Sequence, residues 1–328
     1  MGGCPQVLRG GPHGVTRRGY SWGVPTPLQP LPPGLAAAGF TTASAVAAGA
    51  SRRRLRHPSL SSPFVGARVD GPGPEEDDTR GRALALAPLL DRRHVFGRLT
   101  ALRLLGVDLP PRFRSAHDLE LIVVSASARV RRPGVQCRIV PPYGSFHTVG
   151  TLRYTTGATT FLHLAKSLTV EELVMVGDAL TRRVDPLATL ESLAAHVEGA
   201  PTCHGIARAR AALAHVCPGT DSVPETILRR IIENAGFPRP VVNAPMLDDV
   251  GAYLGRPDLS FPELKLSIEY LGDVHRTDPR TWRIDVERHQ RFREAGWTVH
   301  EATAETLRHP AALLRRLSDA GVPRRSAR

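Results

Sequence analysis

Two carboxylates in the last third of the chain stand at a spacing that chemistry can use. Asp258 follows Arg256-Pro257, and Glu269 comes eleven residues later, inside the apolar run Leu264-Lys-Leu-Ser-Ile-Glu-Tyr-Leu271. Pro262-Glu263 between them reads as a tight turn, so the two segments are expected to pair as antiparallel strands. Opposed residues in such a pair lie about 5 Å apart. Carboxylates that close repel unless a hard cation bridges them. Mg²⁺ (or Mn²⁺) suits the position, because it takes oxygen ligands and keeps places open for water and phosphate oxygens. A cation so held lowers the pKa of a bound water and neutralises charge in an in-line displacement at phosphorus. Phosphodiester hydrolysis is the chemistry expected of this pair.

Three neighbours extend the set. By the period-two rule residues 265, 267, 269 and 271 share a face, so Lys265 is expected to point with Glu269; the competing reading is an ordinary edge lysine. His275, four residues past the strand, reads as a general base or phosphate contact, or as a plain loop histidine. Glu225 completes a Ser222-x-x-Glu capping box, which explains it without a metal, yet it could equally face the site. Glu269 is the firmest of these, since an unpaired carboxylate inside an apolar strand is costly.

The elements that must hold these residues can be read around them. Residues 222–237 form a helix with Ser222 as N-cap, Pro224 in its first turn and Gly236 as its stop. Strands are expected over 240–246, 253–261 and 264–271, then a helix over 280–295, a strand over 297–301 and a helix over 304–317. The order is α-β-β-β-α-β-α. Upstream, residues 76–218 read as an α/β middle domain. Its helices are expected over 81–90, 94–105, 159–166, 169–183, 187–197 and 204–215, and its strands over 119–124 and 134–140. Glu171, Glu172 and Asp178 lie on one of these helices, where acids near the N-terminus favour the helix dipole, and no chemistry is assigned to them. The fold class expected is α/β, with the last domain spanning 219–320 and a tail over 321–328.

Charge narrows the classes. The 328 residues carry a net charge of +12, and only Lys166 and Lys265 are lysines. So strong a bias to arginine points to codon usage in a GC-rich genome more than to phosphate binding. Eight arginines and no acid fall before Asp70, so most of the net charge lies in the first fifth of the chain. Residues 1–33 read as a disordered arm or an over-extended start. Residues 34–75 read as a winged-helix segment, a helix followed by a basic end and a strand over 63–69, or equally as a basic solvated arm. Arg17-Arg18 superficially resembles a twin-arginine export signal, but the following run is short of Leu, and a cytoplasmic protein is expected. No run approaches the ~18 apolar residues of a membrane span. Cys203, His204, His215 and Cys217 are wrongly spaced for zinc, and no disulfide framework is expected.

Several of these residues form a larger pattern. Glu225, Arg256-Pro-Asp258, Ile268-Glu-Tyr-x-Gly272-x-x-His275, Asp285 with Arg288, and Ala295-Gly-Trp297-x-Val299 resemble the actinobacterial endonuclease-domain proteins. Those are relatives of the very-short-patch-repair endonuclease within the PD-(D/E)XK, restriction-endonuclease-like superfamily. The resemblance covers about 222–317. Upstream, residues 51–69 and the helices around 173–183 are more loosely similar to an AbiEi-type antitoxin-like arrangement. The resemblance implies an αβββαβ nuclease core with Asp258 and Glu269 as metal ligands, and a main-chain carbonyl near Tyr270 or Leu271 as a third. It also implies Glu225 as the acid of the first helix and His275 as the histidine after the glycine. One departure stands out: where the family has Glu-x-Asp-Gly, this chain has Glu269-Tyr-Leu-Gly272, and Leu271 offers no polar group. The expected function is a metal-dependent DNA endonuclease or nickase. The alternatives are a weakened nuclease fold acting as an antitoxin-like DNA-binding regulator, and an interaction scaffold without nucleic acid. The expected partner is DNA, not a membrane, with a homodimer as the assembly to test.

Overall fold

The computed structural model describes residues 29–35, 39–140, 144–201, 203–272 and 279–324, with the backbone alone over 279–286. It is a mixed α/β protein with several sheets. Most of the expected N-terminal arm lies outside the described residues.

The segment read as a winged helix is reduced. Its helix is a short α1 (Thr42–Ala47), closed by a capping box between Thr41 and Ser44. Its hairpin is two residues a side, β1 (Leu60–Ser61) against β2 (Val69–Asp70). The strand expected over 63–69 is corrected to a turn, because Gly66 takes φ +90° and Phe64 leaves the ladder to bury itself against the middle domain. Part of the basic stretch is internal: Arg54 is buried and pairs with Asp70 at 2.8 Å.

The middle domain opens with α2 (Thr79–Leu86), β3 (Val95–Phe96), α3 (Arg98–Leu104), β4 (Leu119–Val123) and β5 (Val135–Ile139). A hairpin follows, β6 (Phe146–Val149) and β7 (Leu152–Thr155), completing a five-stranded sheet in the order β5-β4-β3-β7-β6. The helix expected over 94–105 is shorter than its pattern. Val95–Phe96 joins the sheet instead, and Gly97 marks the change because any Cβ there would sit 2.3 Å from Ile122 Cγ1. Four helices then pack together, α4 (Gly157–Leu164), α5 (Val170–Leu180), α6 (Leu190–Glu198) and α7 (Ile206–Leu213). Phe161, Leu164, Leu173, Leu180, Leu193 and Val197 form their core. At Gly177 a Cβ would meet Val216 Cγ2 at 2.4 Å, so glycine is what lets the chain pass α5.

The C-terminal part begins with α8 (Val223–Asn234), capped by Ser222 as its sequence predicts. β8 (Val241–Val242) joins the main sheet, whereas β9 (Met246–Leu247) pairs with β10 (Tyr253–Gly255) in a separate ribbon. The strand expected over 253–261 is thus broken at Arg256-Pro257, where proline has no N–H to give a ladder. It resumes as β11 (Leu259–Phe261), followed by β12 (Leu266–Tyr270), α9 (Pro279–Glu294), β13 (Thr298–Ala302), α10 (Ala304–Arg308) and α11 (Ala311–Asp319). The four-stranded sheet runs β13-β12-β11-β8. Only β12 and β13 are parallel, and α9 supplies the crossover a parallel pair needs. Leu259, Phe261, Leu266 and Ile268 pack with Leu228 of α8 and Leu313 of α11. Met246, Leu254, Phe292 and Trp297 form a second cluster, with Phe292 and Trp297 edge to face at 5.2 Å.

The helical middle is tied to the C-terminal part through α5 and α8. Asp178 and Arg229 are fully buried and pair at 2.7 Å. Asp178 also accepts from the Cys217 amide at 2.7 Å and the Thr226 hydroxyl at 2.9 Å, while Arg229 continues to Glu233 at 2.7 Å. Beside them Arg230 holds Glu171 at 2.9 Å.

Candidate functional site

The hairpin of β11 and β12 sets the geometry. Leu259 faces Ile268, Ser260 faces Ser267 and Phe261 faces Leu266. Extended by one residue, the same register brings Asp258 opposite Glu269. Since Leu259, Phe261, Leu266 and Ile268 fill the core against α8 and α11, alternation turns Asp258, Ser260, Ser267 and Glu269 to the other face. Ser260 and Ser267 are fully buried on the rung behind the carboxylates. Their small size and their role as neighbours of the pair went unread in the sequence, where a serine inside an apolar strand carries little signal.

Glu269 is 3 % exposed, and its Oε2 accepts from the Arg288 guanidinium at 3.0 Å. Arg288 reaches it along a path opened by Gly255. A Cβ at that position would approach Phe292 Cε2 at 2.9 Å and Arg288 Cγ at 3.0 Å. Asp258 is half-buried, and its Oδ2 accepts from the Tyr270 amide at 2.7 Å. Burial, then the Glu225 carboxylate, push Asp258 up to about 7, against the opposing pull of the Tyr270 amide and Arg288.

Both readings of Glu225 apply to one side chain. It accepts from Ser222 Oγ at 2.7 Å and from the Asp221 amide at 3.0 Å, as a cap does. It is also buried and close enough to Asp258 to raise that group. Asn243 joins the two, donating from Nδ2 to Glu225 Oε2 at 2.8 Å and from its amide to the Asp258 carbonyl at 3.0 Å. It does so at φ +44°, a conformation asparagine tolerates better than most residues. Arg256 in turn donates to the Asn243 carbonyl at 2.6 Å. Asn243 was missed in the sequence; its one signal was a short polar residue ending a Val-Val strand.

Lys265 is a correction. It is not on the strand but in the turn before it, at φ +44°, and this turns its side chain out of the alternation. Its Nζ pairs with Asp249 at 2.9 Å and reaches the Ala295 carbonyl. Four residues at about 3.3 Å each separate it from Glu269 along the hairpin. His275 lies outside the described residues. Leu271 is half-buried and enters the sheet through its amide, which donates to the Ala302 carbonyl at 2.7 Å.

Among the described residues no group of three or more His, Cys, Asp or Glu side chains has the arrangement of a metal centre. The donor chemistry of the pair nonetheless suits a hard divalent cation: two opposed carboxylates, a third nearby in Glu225, and one guanidinium as compensating charge. Asp258 and Glu269 are the residues that would hold it. Of the cysteines and histidines in the middle domain, His215 engages Arg230 at 3.0 Å and the Cys217 amide serves Asp178.

No family model, curated protein or solved structure matches this chain. Among the described residues no helix is long and apolar enough to cross a membrane.

Proposed function

We propose that the chain is a metal-dependent DNA endonuclease or nickase of the cytoplasm, with a restriction-endonuclease-like C-terminal domain. The observation that carries this reading is the opposition of Asp258 and Glu269 across the β11–β12 hairpin, with Glu269 buried and held by Arg288 of α9. The sheet order β13-β12-β11-β8, with α8 before it and α9 as the crossover, agrees with the αβββαβ order expected of that domain. A divalent cation on Asp258 and Glu269 would supply water activation and charge neutralisation at phosphorus. The chain's own groups do the rest. Arg288 orients the Glu269 carboxylate, the Tyr270 amide fixes one oxygen of Asp258, and Asn243 fixes Glu225 beside it. A monomer with one such site would nick; a homodimer would offer one site to each strand.

The test is cleavage of plasmid and mismatched duplexes in Mg²⁺ or Mn²⁺, with Asp258→Ala and Glu269→Ala beside the wild type. Each substitution is expected to lower cleavage by at least ~10²-fold while leaving duplex binding, weakened by salt, in place. Cleavage equal to wild type in both variants would remove the assignment.

A second reading has its own support. Leu271 is aliphatic and Lys265 is engaged with Asp249, so neither supplies a third polar group beside the carboxylates. That favours a DNA-binding regulator derived from a nuclease fold. Salt-sensitive duplex binding by a wild type that cleaves nothing in either metal would select it.

A further inference from the structure

The middle domain contains a cavity of about 710 Å³, to which the carboxylate pair contributes nothing. It opens between β5, the C-terminal end of α4, and α6 with the segment that follows it. Its size lies in the range of small-molecule sites. Four cationic side chains line it, Arg98, Arg129, Arg138 and Lys166, and among the described residues no carboxylate does.

Arg98 is structural. Its guanidinium is held by Glu120 at 2.9 Å, the His163 carbonyl at 2.7 Å and Ser167 Oγ at 2.9 Å. Those three bonds over-determine a backbone at φ +57°, a conformation an arginine adopts only under strain. A rigid floor results. The other three cations are exposed at the rim. Among the described residues Arg138 meets Gln136 at 2.8 Å and Glu120 at the 4.0 Å limit, and no carboxylate pairs with Arg129 or Lys166. Three exposed cations on one concavity, two of them with no carboxylate partner among the described residues and the third with a distant one, are a site for a polyanion.

The wall is different in character. Ile139 and Leu162 present apolar surface, with the imidazoles of His163 and His196 beside them. Burial, then Arg98 and His196, push His163 down to about 4, and burial lowers His196 as well, so both rings are neutral at pH 7. A neutral imidazole can stack on a flat ring and can donate or accept; His163 Nδ1 is buried without a hydrogen-bond partner among the described residues. Beyond the rim an open groove shares Arg129 and Arg138 and adds Arg131 and Arg132, extending the basic path outward.

We propose that this cavity binds a nucleotide, its base and sugar against Ile139, Leu162 and the two imidazoles and its phosphates on Arg129, Arg138 and Lys166. Inorganic phosphate alone would fill only a fraction of the space and use none of the wall. The site is independent of the nuclease reading and would act as an effector site on the middle domain.

The experiment titrates the full chain by calorimetry with ATP, GTP, CTP and UTP separately, beside adenosine, guanosine, inorganic phosphate and a single-stranded DNA 20-mer. At least one triphosphate is expected to bind once per chain with a micromolar Kd, and its nucleoside at least about tenfold more weakly. The double substitution Arg138→Ala/Lys166→Ala, both at exposed positions, should weaken it by about tenfold or more with the thermal midpoint of the unliganded chain unchanged. Cys203 is exposed and lines the same cavity, so its alkylation should slow when that triphosphate is bound. The proposal falls if no triphosphate binds at about 1 mM, or if the double variant binds as the wild type does. It falls equally if the 20-mer protects Cys203 and the mononucleotides do not, which would make the cavity part of a nucleic-acid path. Asp258→Asn should leave nucleotide binding unchanged, so this outcome and that of the cleavage assay are read separately.

Discussion

At pH 7 Asp258 stands near the midpoint of its titration, because burial and Glu225 together penalise its charged form. The consequence for stability has a definite sign. An unfolded aspartate titrates at 3.8 and the folded one at about 7, so the native state binds the extra proton between those values. Stability is fully present below pH 4 and is lost as pH rises to about 7, by an upper bound of about 4 kcal/mol that partial exposure reduces. Asp258→Asn is expected to remove this slope and raise the thermal midpoint at pH 8; urea titrations at pH 5 and pH 8 check it, and a steeper slope in the variant would refute it. Arg288 acts on the other carboxylate. Arg288→Ala should cost about 1–3 kcal/mol by leaving Glu269 with less compensating charge. Mg²⁺ should restore more of the midpoint in that variant than in the wild type, if Glu269 is a ligand. The juxtaposition of Asp258 and Glu269 is legible in the sequence because a tight turn and a period of two are local rules. The position of Lys265 is not, since a single residue at φ +44° cancels the alternation without changing the composition. Asn243 is not either, because its partners lie 15 and 18 residues away in the chain and meet only in the fold.

Helices and strands at the C-terminal end follow their patterns where one rule dominates and break where proline or glycine intervenes. Ser222, Pro224 and Gly236 bound α8 as expected, while Pro257 divides one expected strand and Pro310 divides one expected helix. In the middle domain β6 and β7 went unread. All four β6 residues are exposed, so no buried alternation marks them. The two-residue Gly150-Thr151 connection, with Gly150 at φ +60°, was the available sign. The contact between β10 and α9 is the element-level feature on which the carboxylate pair depends. Gly255→Ala is expected to push Phe292 and the Arg288 stem away, costing about 1–3 kcal/mol and loosening the bond from Arg288 to Glu269. Thermal unfolding of Gly255→Ala beside Gly255→Ser tests this; a variant as stable as the wild type would show that α9 has slack.

Across the molecule, the buried Asp178–Arg229 pair makes the helices of the middle domain and α8 one polar network. Burial works against the charge on both partners, raising Asp178 and opposing Arg229, whose value is nonetheless raised by Asp178 and Glu233, so each partner relies on the other. Asp178→Ala is expected to cost about 3–5 kcal/mol, because it leaves a buried guanidinium with Glu233 as its remaining carboxylate partner among the described residues. Calorimetry should show one transition in the wild type and two in the variant; a single, unshifted transition would mean that the pair joins nothing. Asp178 carried no such signal in the sequence, where an acid on a helix reads as a solvated or dipole-aligned side chain. Arg229 likewise belonged to an ordinary Arg-Arg pair on an amphipathic helix. Their meeting, across 51 positions of sequence, depends on how α5 and α8 dock. The same pair bears on where the chain can be cut and rejoined. A graft that begins at Ser222, the natural seam by composition and turn chemistry, would carry Arg229 into a foreign host and leave its carboxylate behind. A transplantable cassette has to begin upstream of Thr169, so that α5 and the Cys217 amide travel with α8. In this protein the unit of inheritance is longer than the unit of chemistry.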